Sequence, residues 1–227
     1  MTKYSLFKGI LFGAVLWALF GWFVFLAAGT FEWVWGWIGL AVVILGHGIS
    51  GYCIWRSNPD LIYRRRKPGN DTKSWDKLLL ALFGFTHLMT WSAAAIDYRL
   101  NGTLPASFSL VSGIILYTFF LYILTWAMLE NTFFEKFVRI QLDQNHRVVA
   151  TGPYRFVRHP GYMATILGFV FGIPLILGSA WSFLPSFFCM IALILRTWLE
   201  DRFLLKELPG YKEYAETVKY RLIYGIW

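Results

Sequence analysis

The stretch Gly152-Pro-Tyr-Arg-Phe-Val-Arg-His-Pro-Gly-Tyr162 places two arginines, a histidine and two tyrosines directly before a long apolar run, residues 161–195. Pro160 suits the first turn of a helix, with His159 at the cap before it. Charged side chains are costly at the edge of a membrane span unless they bind something. The pattern predicts a helix that leaves a polar surface for a bilayer, and a functional site at that surface. A plain turn with Arg158 among lipid headgroups remains the alternative.

The apolar run 161–195 is too long for one membrane span and is interrupted near Gly178-Ser179. We predict a tight helical hairpin here, with five spans plus a re-entrant hairpin as the alternative. A composition that is 57% hydrophobic and 15% charged exceeds what a soluble core of 227 residues can bury. The sequence therefore predicts an all-α integral membrane protein, a bundle of about six transmembrane helices. The other predicted spans are 9–28, 33–55, 78–96 and 104–129.

The positive charges predict the orientation of the chain. All but one of the 21 lysines and arginines fall on one side of a six-span bundle, and only Arg99 lies opposite. Under the positive-inside rule, both termini lie in the cytoplasm. Topology thus explains the net charge of +8 without a nucleic-acid partner. The run Arg64-Arg65-Arg66-Lys67 either attracts anionic lipid headgroups or serves only as a stop-transfer signal.

Polar side chains inside the predicted spans are few. His47 and His87 are interpreted as buried, hydrogen-bonded histidines, although intramembrane polar groups are often functional. Cys53 and Cys189 are interpreted as small packing residues rather than as a disulfide or a metal pair. Two isolated histidines without a neighbouring carboxylate make a poor metal site, so we predict none.

The chain divides into two regions by polarity. Residues 1–129 are predicted to form an N-terminal four-span membrane region, and polar residues concentrate in residues 130–227. A hairpin that enters the membrane and returns brings residues 155–162 beside residues 196–202. We therefore predict that the second region builds a site at the cytoplasmic end of the bundle.

The end of the chain predicts one more helix. After a break at Pro209-Gly210, Tyr211, Tyr214 and Val218 recur at three- and four-residue steps. This spacing predicts a cytoplasmic C-terminal amphipathic helix that lies on or caps the bundle. Tyrosines at an interface are also ordinary membrane anchors, which is the alternative interpretation.

The segment Arg196-Thr-Trp-Leu-Glu200-Asp201 combines charges at the end of the last span. Arg196 and Glu200 are four residues apart and face the same side of a helix. Adjacent acids are unusual here, because helix C-termini favour cations. A surface pair of Arg196 and Glu200 with a solvated Asp201 is the simple interpretation.

The order and spacing of these motifs, together with Arg221-Leu-Ile, resemble the isoprenylcysteine carboxyl methyltransferase family. The wider group includes the phospholipid methyltransferases. The resemblance covers roughly residues 130–227. It implies a membrane methyltransferase that takes a methyl group from S-adenosylmethionine at the cytoplasmic end of the bundle and transfers it to a lipophilic acceptor.

The resemblance also implies roles for particular residues. Arg158, Arg196 and Glu200 are the predicted catalytic residues, since arginines can hold an acidic acceptor or the cofactor carboxylate in a bidentate manner. Asp201 is one methylene shorter than the family's second acid, which leaves its role open. The implied cofactor-binding residues are Val149, Gly152, Tyr154, His159, Pro160, Tyr162, Glu200, Asp201, Tyr211 and Tyr214.

The acceptor group is less determined. A carboxylate acceptor, as in isoprenylcysteine, requires an arginine clamp, whereas an amine requires a base. We expect a carboxylate, with a phospholipid or a small amine or thiol as alternatives. Two other classes stay open on the sequence: an NADPH-dependent sterol-type reductase and a non-catalytic membrane scaffold.

Overall fold

The computed structural model describes residues 3–65, 72–141 and 144–227, which form helices and connecting segments without any strand. Arg66 and Lys67 of the predicted lipid-facing cluster lie outside these described residues. In chain order the helices are α1 Lys3–Ala28, α2 Val34–Ser57, α3 Pro59–Arg64, α4 Ser74–Asn101, α5 Ser107–Glu130, α6 Pro160–Thr165, α7 Ile173–Leu177, α8 Phe183–Glu207 and α9 Tyr211–Thr217.

Within the described residues, six helical stretches are long and apolar enough to cross a membrane, which confirms the predicted count. Helices α1, α2, α4, α5 and α8 account for five of them. The sixth, Pro160–Leu177, consists of α6, a π-helical segment Ile166–Gly172 and α7. The described residues are therefore an all-α bundle of the multi-pass membrane type.

The predicted hairpin turns at Gly178. Its φ of +71° lies in the left-handed region, which glycine adopts without steric cost. A Cβ at this position would collide with the backbone nitrogen of Pro105, so the turn also packs directly on the segment before α5. Ser179 then donates a hydrogen bond to Asp97, which ties the turn to the end of α4.

Large aromatic side chains fill the bundle, while other apolar side chains face outward. Trp33, Trp91 and Tyr117 are fully buried in the main core cluster. Phe12 and Phe108 are 66% and 84% exposed, an arrangement suited to lipid rather than to water. The apolar side chains thus follow the pattern expected of a membrane bundle.

Helix α5 packs closely against the first arm of the hairpin because glycines lie at the contact. A Cβ on Gly113 would lie 2.7 Å from the backbone nitrogen of Ile176 and 2.8 Å from the carbonyl oxygen of Gly172. Small residues allow this close approach of backbones between membrane helices. The contact fixes the hairpin against α5.

The tail begins with α9, which is only seven residues long. Its Tyr211 and Tyr214 are buried against Tyr154 and Leu208, and Val218 completes the cluster. The helix therefore lies against the connecting segments at the end of the bundle opposite Gly178. Its amphipathic character at a cytoplasmic surface stays a prediction.

Replacing Gly113 by alanine should destabilise the bundle by about 1–3 kcal/mol, the usual cost of inserting a methyl group into a filled contact. The measurement is the midpoint of thermal unfolding of the purified protein in detergent. Gly48→Ala is the matched control, since a Cβ there meets no atom within 4 Å. Equal midpoints for the two variants would contradict this account of the α5 contact.

Candidate active site

A cavity of about 470 Å³ lies between the membrane helices and the connecting segments at the end opposite Gly178. Side chains from all three sequence motifs contribute to its wall. Gly152 and Asp201 are the two predicted site residues that do not line it. The predicted residues that do are Val149, Tyr154, Arg158, His159, Pro160, Tyr162, Arg196, Glu200, Tyr211 and Tyr214.

The lining of the cavity changes from polar to apolar along its length. Its inner end is lined by Phe120 and Phe169, and by His47, all near the middle of their helices. Along α8 the lining runs from Leu204 to Ala192, which is about 18 Å at 1.5 Å per residue. The cavity therefore joins a polar end, where the motifs meet, to an apolar end inside the bundle.

Asp201 is fully buried just behind the cavity wall and organises the polar end. Arg158 donates to its two oxygens from Nε at 2.8 Å and Nη2 at 2.9 Å. Arg221 donates from Nε at 2.7 Å, and the hydroxyl of Tyr211 donates at 3.0 Å. The ring Nε2 of His159 lies 3.3 Å away. The interpretation of a solvated Asp201 is therefore wrong. The role of Asp201, which the sequence left open, is to join the side chains of Arg158, Arg221, Tyr211 and His159.

Arg158 is fully engaged by the protein itself. Besides Asp201, it donates from Nη1 to the carbonyl oxygens of Val218 and Lys219 at 2.7 and 2.9 Å. Burial acts to lower the pKa of Arg158, but the hydrogen bonds and charge of Asp201 outweigh it and raise that pKa. The predicted use of Arg158 to hold a ligand carboxylate is not supported, because its Nε and Nη2 already donate to the buried Asp201.

The tail strengthens the same arrangement through its backbone. The amide of Arg158 donates to the carbonyl of Tyr220, and the amide of His159 donates to that of Arg221, both at 2.9 Å. The end of the chain thus runs beside the residues before α6. These bonds hold His159 at the start of the helix that Pro160 begins.

Arg196 also has a partner within the protein. Its Nε donates to Asp76 at 2.7 Å, and its Nη2 donates to the carbonyl of Lys136 at 2.6 Å. Asp76 is fully buried and also accepts the amide of Val138. The expected surface pair of Arg196 and Glu200 is therefore wrong, since the stronger partner lies at the start of α4. Of the three guanidinium nitrogens of Arg196, only Nη1 makes no hydrogen bond within the described residues.

Glu200 keeps a carboxylate available in the wall. It accepts a hydrogen bond from the hydroxyl of Tyr162. Among the described residues it forms no ion pair with a lysine or an arginine. The ring of Tyr162 stacks on that of His159, with centroids 5.7 Å apart. A half-buried carboxylate beside aromatic rings is an environment suited to a cationic ligand.

Residues 108–209 match the model of the phospholipid methyltransferase family. This family is part of the isoprenylcysteine and phospholipid methyltransferase group. The matched segment contains the 152–162 and 196–201 motifs and the hairpin between them. A comparison with curated proteins found no match.

Gly152, within the matched segment, has a structural role. Its φ is +57°, and a Cβ there would lie 2.8 Å from the side chain of Glu130. Thr151 donates to the same Glu130. Gly152 thus fixes the turn against the end of α5 rather than lining the cavity.

Three tyrosines form a neutral aromatic wall around the polar end. The hydroxyl of Tyr214 donates to the carbonyl of Tyr154 at 2.6 Å, and that of Tyr154 donates to the carbonyl of Ala127 at 3.3 Å. Burial raises the pKa of Tyr154, Tyr211 and Tyr214 above the ordinary tyrosine value. Their hydroxyls therefore stay protonated and serve as donors at neutral pH.

Part of the cavity wall comes from residues that the sequence motifs do not include. The segment between α5 and the first motif contributes Glu135 and Gln141, and Arg65 reaches the cavity from the end of α3. Asp76 lies outside these motifs as well. Its only sequence signal is an acid in the first turn of an apolar helix, which the helix dipole explains equally well.

Replacing Asp201 by asparagine should destabilise the protein by about 3–5 kcal/mol, because Arg158 and Arg221 would lose their buried counter-charge. The check is thermal unfolding of both forms in the same detergent. Glu207→Gln in the same helix is the control, since its exposed pair with Lys206 is worth about 1 kcal/mol or less. Equal unfolding midpoints for the two variants would contradict the organising role of Asp201.

Proposed function

We propose that this protein is an integral-membrane methyltransferase that uses S-adenosylmethionine and acts on a lipophilic acceptor. One observation carries the proposal: the motifs at 152–162, 196–201 and 211–214 contribute side chains to one cavity, whose inner end is apolar. The family of residues 108–209 supports methyl transfer as the reaction.

The residues at the polar end fit such a cofactor. S-adenosylmethionine supplies an activated methyl group on a positively charged sulfur. Glu200, with no basic ion-pair partner among the described residues, supplies a complementary charge, and Tyr162, Tyr211 and Tyr214 supply aromatic faces for a cation. The cavity volume also falls in the range of ordinary small-molecule sites.

The protein contributes the alignment of the two reactants and the exclusion of water. Methyl transfer is an in-line displacement, so holding the two reactants in line supplies much of the rate enhancement. Tyr211 and Leu208 are 4% and 6% exposed and cover the polar end from outside. Exclusion of water strengthens the electrostatic contacts of Glu200 and protects the methyl donor from hydrolysis. The reaction requires no nucleophile from the protein.

The acceptor we propose is a carboxylate on a lipophilic molecule, as in isoprenylcysteine methylation. The apolar inner end suits its hydrocarbon part. The main rival is an amine or thiol acceptor, including a phospholipid headgroup, because Glu200 can serve as a base. A reductase that uses NADPH and a non-catalytic scaffold are the alternatives of another class.

We also propose that both termini, and therefore the polar end of the cavity, face the cytoplasm. The four-span region 1–129 would then support a methyltransferase region 130–227. In bacterial cells, green fluorescent protein fused after Trp227 should fluoresce, and alkaline phosphatase fused at the same point should be inactive. An active phosphatase fusion with a dark fluorescent fusion would reverse the proposed orientation.

The cofactor is tested by equilibrium binding to the purified protein in lipid nanodiscs. The wild type should bind S-adenosylmethionine and not NADPH. Glu200→Gln should weaken that binding about tenfold or more, which corresponds to about 1.4 kcal/mol, because it removes the negative charge opposite the cation. Glu207→Gln, which changes an exposed acid outside the cavity, should bind as the wild type does. Selective binding of NADPH would overturn the proposal, and binding of neither would favour the scaffold.

A further inference from the structure

Arg65 lies in the cavity wall just after α3. Its Nη1 donates to the carbonyl oxygen of Phe134 at 2.8 Å, and its guanidinium lies 5.1 Å from the centroid of the Phe134 ring. These two contacts hold the side chain against the segment that follows α5. They leave Nε and Nη2 without a hydrogen bond in the part of the chain that the structure describes.

Among the described cavity arginines that are buried or half-buried, Arg65 differs from the others in having no counter-charge, whereas Arg147, which also lines the cavity without an ion pair, is exposed. Arg158 and Arg196 are paired with Asp201 and Asp76 at 2.8 and 2.7 Å, and Arg139 is paired with Glu135. Among the described residues, no carboxylate lies within ion-pair distance of Arg65. Burial lowers the pKa of Arg65 to about 10, so the side chain is still charged at neutral pH. A partly buried charge without a partner is unfavourable unless a ligand completes it.

We infer that Arg65 binds the carboxylate of a ligand in this cavity, an inference that rests on the proposed methyl transfer. The free Nε–Nη2 edge is the edge that Arg158 presents to the two oxygens of Asp201. A guanidinium fork of this kind matches a carboxylate with two parallel hydrogen bonds. Arg65 therefore takes the role that the sequence assigned to Arg158 and Arg196.

The carboxylate has two possible sources. One is the amino-acid end of the cofactor, and the other is the acid group of the acceptor. Arg196, whose Nη1 keeps its hydrogens unpaired within the described residues, lies on the same cavity wall and adds positive charge on either route. Arg65 lies outside residues 108–209, so this site is a feature that the N-terminal region adds to the family segment.

The test compares Arg65→Gln with Arg64→Gln. Arg64 is the matched control because it donates to the carbonyl of Thr132 and to Gln144 in the same segment but does not line the cavity. Binding is measured in nanodiscs with two ligand pairs: S-adenosylhomocysteine against its decarboxylated analogue, and decanoate against decanol. Arg65→Lys keeps the charge and a donor for Phe134, so it preserves folding if glutamine does not. It should lose only part of the binding, because an ammonium lacks the fork.

We expect Arg65→Gln to weaken binding of the carboxylate member of one pair about tenfold or more. Binding of the counterpart that lacks the carboxylate should stay unchanged. A loss of affinity for S-adenosylhomocysteine assigns the site to the cofactor, and a loss of affinity for decanoate assigns it to the acceptor. If the wild type binds no S-adenosylhomocysteine but Arg65→Gln still abolishes its preference for decanoate, the proposed function fails and the carboxylate site stands. If Arg65→Gln behaves as Arg64→Gln does with both pairs, the carboxylate site is overturned.

Discussion

The buried carboxylate of Asp201 is the constraint on which the polar end of the cavity depends. It accepts hydrogen bonds from Arg158, Arg221 and Tyr211, so residues far apart in the chain meet at one point. Removing a charge from such a cluster is costly because the remaining charges stay buried without a partner. The tail, the start of α6 and the end of α8 therefore hold their positions together. The cavity wall formed by His159 and Glu200 is built on this support.

The second buried pair, Arg196 with Asp76, does the same for the membrane helices. It joins α8 to the start of α4 and, through the amide of Val138, to the segment that closes the cavity. With both arginines paired within the protein, Glu200 and Arg65 are the half-buried charges of the described cavity wall that have no ion-pair partner, while Lys136 and Arg147 are exposed. This separation suits a site in which a cation and a carboxylate are bound a short distance apart. In the proposed function, the apolar inner end leaves room for a hydrocarbon chain, so a water-soluble donor and a lipid can each approach from its own phase.

Much of the fold could be predicted from the sequence, because apolar length alone determines which segments can cross a membrane. The six spans and the turn at Gly178 follow from that rule. The meeting of the 152–162 and 196–201 motifs follows from the hairpin. The partners of Arg158 and Arg196 could not be predicted, because each arginine had several carboxylates within reach in principle. Burial and geometry decided between them, and neither is visible in the spacing of residues.

In the proposed function, the protein transfers a methyl group from a soluble donor to a lipophilic carboxylate. The most direct measurement is incubation of membranes containing the protein with methyl-labelled S-adenosylmethionine, followed by mass spectrometry of the extracted lipids. The account predicts a labelled lipid that forms with the wild type, fails to form with Glu200→Gln, and loses its label in mild base as a methyl ester does. A base-stable label would contradict the carboxylate acceptor, and the absence of any labelled lipid would contradict methyl transfer itself.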